Sequence, residues 1–145
     1  MTSRTRHAFF TILLVFGIAA AHPASAQLGD ADRDGIRTTI QNQIAAFQRD
    51  DGAAAYGYAA PMIQGLFPSV DAFMAMVRSG YQPVYRPRSV VFGEAVLTPQ
   101  GPTQRVFVTG PDGKNWVAIY SLEQQPDGSW KISGCTLVED EGSVA

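Results

Sequence analysis

The chain predicts an α+β domain in which N-terminal helices pack on one face of a curved antiparallel sheet of about four strands. Up to about residue 83, apolar side chains recur at three- and four-residue steps, which is typical of amphipathic helices. Beyond that point β-branched and aromatic residues alternate with polar ones. Three turns that set glycine beside proline or aspartate divide this second half into strand-sized runs.

The first 26 residues have the three parts of a secretory signal peptide. Arg4 and Arg6 precede an apolar run over 8–21, and Ala24-Ser25-Ala26 is a small-x-small cleavage signal. The run is shorter than the roughly 20 residues of a membrane-spanning helix. We therefore expect a bacterial periplasmic or secreted protein whose single domain covers 27–145 and keeps no stable membrane anchor. An uncleaved N-terminal anchor is the alternative.

Cleavage would remove both histidines, His7 and His22. Without them, Ser–His and Cys–His nucleophile systems and histidine-rich metal sites are excluded. Loss of the two leader arginines takes the formal net charge from −2 to −4, and no basic cluster remains. A nucleic-acid partner is therefore not expected. Cys135, the one cysteine, cannot form an internal disulfide and is interpreted as a small buried side chain, with an intermolecular disulfide as the alternative.

Helices are predicted over residues 34–49, 53–59, 61–66 and 70–80. In the first, one face carries Ile36, Ile40, Ile44 and Phe47. Asp51 and Ser69 are residue types that cap helix N-termini, and Pro61 suits a first helical turn.

Strands are predicted over residues 89–98, 103–109, 115–123 and 129–138. Alternation in the third strand places Trp116, Ala118, Tyr120 and Leu122 on one face. In the fourth strand, strict alternation places Ile132 and Gly134 on one face and Cys135 on the other. The domain core is expected to run from about 34 to 138, and the acidic tail over 139–145 is expected to fray.

The segment 81–88 links the helices to the sheet, and its two prolines predict an extended backbone. Two phenols and a guanidinium on such a segment can recognise a carboxylate or phosphate. The candidate ligand-binding residues are Tyr81, Tyr85, Arg86 and Trp116. In the structural alternative, Arg86 bonds helix C-terminal carbonyls or pairs with Asp71 or Glu94, and the tyrosines are core residues.

The DADRDG segment, residues 30–35, has aspartates at the first, third and fifth positions of a calcium loop. Gln41 stands where such a loop needs a bidentate glutamate. We interpret the segment as a helix N-terminus whose carboxylates favour the helix dipole. No metal or other cofactor is predicted.

Three stretches resemble one family of bacterial secreted proteins, the domain of unknown function number 4864. They are IRTTIQNQIAAFQRDDGAAAYGYAAPMIQGLF, DAFMAMVRSGYQPVYRPRSVVFGE and QPDGSWKISGCTLV, which together span roughly Ile36 to Val138. The organisation is also similar to the cystatin-like cone of nuclear-transport-factor-like and SnoaL-like proteins. The resemblance implies a curved sheet around a long helix with an open pocket, and no activity.

Three functions remain open from the sequence. The first is non-catalytic binding of a small molecule or protein partner. The second is a small histidine-free isomerase or lyase in which Asp71 or Glu94 acts with Tyr81, Tyr85 or Tyr58. The third is a structural homodimer joined through the sheet. Aromatic and methionine side chains can line a pocket or fill the core, namely Met62, Phe73, Met74, Met76, Trp116, Tyr120 and Trp130.

Overall fold

The computed structural model describes residues 27–142, so the predicted signal peptide lies outside the described residues. Helices come first, and an antiparallel sheet follows. The helices are α1 Asp30–Gln48, α2 Gly52–Gly57, α3 Pro61–Leu66, α4 Val70–Gly80 and α5 Gln82–Tyr85. The strands are β1 Ser89–Thr98, β2 Gly101–Thr109, β3 Asn115–Gln124 and β4 Trp130–Glu139. The predicted α+β class, with helices N-terminal to an open curved sheet, is confirmed.

The sheet is a meander in the order β1-β2-β3-β4, with each strand antiparallel to the next. The three connecting turns place Gly101, Gly113 and Gly128 at positive φ. Glycine adopts this conformation without the steric penalty that a Cβ would bring. The turns that the sequence predicted therefore lie where it predicted them.

Helix α1 crosses one face of the sheet and provides the centre of the core. All four side chains of its predicted apolar face are buried, and Ile36 and Ile40 are fully enclosed. From the sheet, Val106 and Ala118 are enclosed against it. Burial of one such large aliphatic side chain contributes about 1.5–3 kcal/mol. No helix within residues 27–142 packs on the other face of the sheet.

Helix α1 begins at Asp30, four residues before the predicted start. Gly29 has extended geometry at the N-cap, and the carboxylates of Asp30 and Asp32 lie in the first turn, where the helix dipole favours negative charge. DADRDG is therefore continuous helix, in agreement with its interpretation as a helix N-terminus.

The predicted extended geometry of the segment 81–88 is wrong. Residues 82–85 form the short helix α5, in which the amides of Val84 and Tyr85 both donate to the carbonyl of Tyr81 at 3.0 Å. The fixed φ of Pro83 suits the first turn of a helix as well as it suits a strand. The turn buries Pro83, Val84 and Tyr85 together rather than on alternating sides.

The predicted facing of Cys135 is also wrong. The β3–β4 register shifts between Ser121 and Leu122, so that Tyr120 pairs with Cys135 and Leu122 pairs with Ile132. Because Tyr120 and Leu122 share a face, this irregularity brings Cys135 and Ile132 onto that face as well.

None of the helices within 27–142 combines the length and the hydropathy that crossing a bilayer requires.

Candidate ligand-binding cavity

A cavity of about 390 Å³ lies between the helices and the C-terminal half of the sheet. Its volume is in the range of pockets that hold small molecules. Helices α1, α3, α4 and α5 form one side, and β3 and β4 form the other. Most of the wall is apolar, and its larger members are Phe47, Ile63, Leu66, Phe73, Met76 and Val77.

The cavity opens to solvent beside α3. Leu66 is 67% exposed, and Thr136 on β4 is exposed as well, although both line the cavity. Helix α3 buries none of its residues fully. It is held instead by Tyr56, whose hydroxyl donates to the carbonyl of Phe67 at 2.6 Å and to that of Gln64 at 3.1 Å. The rim of the opening is therefore held in place by hydrogen bonds from a tyrosine side chain to backbone carbonyls.

Tyr120 is the most deeply buried polar side chain of the lining. It is 1% exposed, and its hydroxyl has no hydrogen-bond partner among residues 27–142. Burial raises the pKa of Tyr120 well above its ordinary value, and electrostatic and hydrogen-bond interaction with the neighbouring Cys135 thiol raises it further, although the two groups do not meet in hydrogen-bond geometry. The phenol therefore stays protonated and remains a hydrogen-bond donor. A buried polar group without a partner costs about 1–3 kcal/mol, which a ligand acceptor would recover.

Besides the exposed Thr136 at the rim, three further polar side chains lie in the lining. Gln43 is buried, and its Nε2 donates to the carbonyl of Ala55 at 3.2 Å. The hydroxyl of Tyr81 donates to the carbonyl of Cys135 at 3.2 Å, which fixes the tyrosine ring at the wall. Burial raises the pKa of the Cys135 thiol to about 12, so the sulfur is protonated and weakly nucleophilic.

A separate polar cluster joins the end of α1 to α5. Arg86 donates to Asp50 at 2.8 Å and to the carbonyl of Phe47, and its guanidinium lies 4.1 Å from the centre of the Tyr85 ring. Tyr85 in turn donates to Asp50. The hydrogen bond from Tyr85 lowers the pKa of Asp50 most, followed by that from Arg86. These contacts fix the chain where Asp50 turns it with a positive φ.

Of the four residues that the sequence singled out, the structure places Tyr81 in the cavity wall. Tyr85 and Arg86 belong to the Asp50 cluster. Arg86 donates to a carbonyl at the C-terminal end of α1, as the structural alternative predicted. Its ion-pair partner is Asp50, and not Asp71 or Glu94 as that alternative predicted. Trp116 lies outside the cavity lining on the inner face of β3, and its buried Nε1 has no partner among the described residues.

Comparison with known proteins adds one finding. The model of the family described as Domain of unknown function (DUF4864) matches residues 29–145. The chain belongs to this family. No curated protein and no solved structure matches it. The match covers every helix and strand that forms the cavity of this DUF4864 protein.

The acids of the predicted carboxylate–tyrosine pair are not brought to the cavity of this DUF4864 protein. Asp71 is exposed in the first turn of α4, and Glu94 is exposed on β1 beside a separate surface groove. Tyr58 does not line the cavity either. Within the described residues, the lining contains no charged side chain. Proton abstraction therefore has no carboxylate base at this wall.

Sequence reasoning identified part of the lining and missed the rest. The sequence left open whether the inward aromatic and methionine residues line a pocket or fill the core. Three of them, Phe73, Met76 and Tyr120, line the cavity. The others of that group lie outside it, namely Met62, Met74, Trp116 and Trp130. Gln43 was missed, although a polar residue on the apolar face of α1, between Ile40 and Ile44, is a signal that could have found it.

Proposed function

We propose that this protein binds a small, uncharged and mainly apolar molecule in the cavity, with a hydrogen bond from Tyr120 to an acceptor on the ligand, and does not transform it. The observation that carries the proposal is the enclosed Tyr120 hydroxyl, a donor without a partner among the described residues, in an otherwise apolar cavity of about 390 Å³. The predicted leader supports action in the periplasm or outside the cell.

The chemistry of the wall favours an uncharged ligand. A charged group in this cavity would lose its hydration without gaining an opposite charge, which costs several kcal/mol. An apolar body, by contrast, gains about 25 cal/mol for each Å² that it removes from water against side chains such as Phe47 and Phe73. At the volume of liquid water, the space holds about 13 water-sized groups.

The protonation of the wall favours binding over catalysis. Tyr120 and Cys135 both have raised pKa values, so neither offers a base near neutral pH. The enzyme alternative needs an acid beside a tyrosine, and no carboxylate lies in the lining. The organisation of helices over an open sheet is also consistent with the proposed similarity to the nuclear-transport-factor-like proteins, a fold that contains a pocket.

The proposal is tested with two probes of similar shape, 2-acetylnaphthalene and 2-ethylnaphthalene, titrated calorimetrically into the protein. The first carries a carbonyl acceptor and the second does not. We expect both probes to bind, with the ketone bound more tightly. Tyr120→Phe should weaken ketone binding about tenfold and leave the hydrocarbon unchanged, because it removes the donor alone.

The control is Tyr58→Phe, the same substitution on a tyrosine outside the lining, which should change neither affinity. Tyr120→Phe should still fold, since the deleted hydroxyl is in hydrogen-bond geometry with none of the described residues. Absence of binding of both probes up to their limits of solubility, or equal affinity for the ketone in wild type and Tyr120→Phe, would contradict the proposal.

A further inference from the structure

The face of the sheet opposite the helices carries a continuous apolar row. Val91 pairs with Phe107, Phe107 with Val117, and Val117 with Val138, so the four side chains follow one another across all four strands. We call this row the apolar belt. Val91 is 60% exposed, Val138 is 47% exposed and Phe107 is 39% exposed. A contiguous apolar patch on an uncovered sheet face is typical of an interaction surface.

Phe107, the largest member of the belt, lies close against the backbone of the adjacent strand. A Cβ on Gly93 would lie 2.7 Å from Cε2 of Phe107, so only glycine admits the ring in this position. Gly93 lies in the β1 irregularity between Phe92 and Ala95. Glycine at position 93 therefore leaves the space that the Phe107 ring occupies.

The rows that flank the belt differ in chemistry. On one side lie Arg105 and its cross-strand neighbour Ile119. On the other side Ser89, Thr109 and Asn115 form a chain of side-chain hydrogen bonds, each 2.9 Å long. One flank therefore offers a guanidinium, and the opposite flank offers hydroxyl and amide oxygens that can accept from it.

We infer that a second copy of this chain packs on this face, sheet against sheet, about a two-fold axis that runs along the apolar belt. Such an axis superposes belt on belt and exchanges the flanks, so that Arg105 of each copy lies over Thr109 and its hydrogen-bonded neighbours in the other. The face is thus complementary to itself, which is the property that an isologous dimer requires.

The area of the outer sheet face is close to the area that a stable dimer interface requires. Four strands of nine or ten residues span about 33 Å by 19 Å, or roughly 600 Å², at ordinary rise and strand spacing. A standard stable interface buries about 800 Å² of accessible surface on each partner, and a pleated face exposes more accessible area than its outline. Two such faces pack about 10 Å apart in aligned sandwiches.

The test is sedimentation equilibrium of protein produced from the full-length coding sequence. Protein concentrations of roughly 1–100 µM cover the dissociation constants that are ordinary for dimers. We expect a dimer. Val91→Glu and Val138→Glu should each raise the dissociation constant at least about 100-fold, because the two-fold axis places two carboxylates in the dry interface. Both positions are exposed in the single chain, so folding is expected to survive and is checked by circular dichroism.

The matched control is Leu97→Glu, since Leu97 is exposed on the same strand but pairs with Pro102 on the opposite face of the sheet. It should leave the dimer intact. Arg105→Glu should weaken the dimer, and adding Thr109→Arg to it should restore association by reversing the polarity of the contact. The inference would be overturned if the wild-type protein were a monomer at about 100 µM. It would also be overturned if the dimer were unaffected by Val91→Glu and Val138→Glu, as expected for a dimer that forms through a sheet edge.

Discussion

Tyr120 and Asp50 show how neighbours decide what a side chain can do. Tyr120 is one of several inward aromatic residues in the sequence, but in the structure its hydroxyl is enclosed without a partner among the described residues, which makes it the proposed anchor for a ligand. In the sequence Asp50 is an ordinary acidic residue at the end of a helix. In the structure Tyr85 and Arg86, which lie 35 and 36 residues further along the chain, both donate hydrogen bonds to it. Sequence separation hides both environments.

Asp50→Asn should lower the free energy of unfolding at pH 7. The pKa of Asp50 is lowered in the folded protein, so its contribution is present above the unfolded pKa of about 4 and is lost as the pH falls through the folded value. Asparagine tolerates the positive φ of this position, so the substitution isolates the charge. Urea denaturation at pH 7, 5 and 3 should show the two proteins converging at the acid end.

The control for this series is Glu94→Gln, an exposed carboxylate that forms no ion pair within the described residues. It should change the free energy of unfolding at pH 7 by less than about 0.5 kcal/mol. A constant difference between wild type and Asp50→Asn at all three pH values would show that the hydrogen bonds, and not the charge, stabilise the cluster.

Among the secondary-structure elements, local signals succeeded where one conformation was clearly favoured. The apolar periodicity of α1, the capping side chains Asp51 and Ser69, and the glycine turns all act within a few residues, and the structure contains each of them. They failed for α5, because Pro83 is compatible with both an extended segment and a first helical turn. In the helical conformation Val84 and Tyr85 are both buried against the core.

Ser69→Ala should lower the free energy of unfolding by about 1 kcal/mol. The Ser69 hydroxyl accepts from the amide of Ala72 at 3.1 Å and so caps α4, which carries Phe73, Met76 and Val77 to the cavity. Thermal or urea unfolding measures the loss. Ser79→Ala, which removes an exposed hydroxyl bonded only to Met76 in the same helix, is the control and should change stability by less than about 0.5 kcal/mol. Equal effects of the two substitutions would refute the capping assignment.

At the scale of the whole molecule, the sheet separates two surfaces of different character. Its inner face, with Tyr120 and Cys135, completes the cavity under the helices. Its outer face bears the apolar belt, and none of the described helices covers it. Strand alternation places adjacent residues of one strand on the two faces, so the proposed ligand site and the proposed self-association site share strands. Thr136, which lines the cavity rim and pairs with Ile119, is the residue at which the two surfaces come closest along β4.

Val91→Glu should therefore abolish self-association and leave the affinity for 2-acetylnaphthalene within about twofold of wild type. Val91 lies on the outer face and does not line the cavity. Calorimetric titration of the monomeric variant measures the affinity. A loss of about tenfold or more would show that the cavity depends on the dimer, and that the two faces are coupled through the sheet.

The sequence by itself determined the class of the fold, the order of its elements and the residues that form the turns. Each of these follows from periodicity, capping and backbone preferences that act over short distances along the chain. Tertiary structure alone decided which inward-facing residues fill the core and which line the cavity. It also turned Cys135 inward through a register shift and assigned Arg86 to Asp50. These outcomes depend on contacts between α1, α5 and β4, and no pattern within one segment encodes how distant segments share their space.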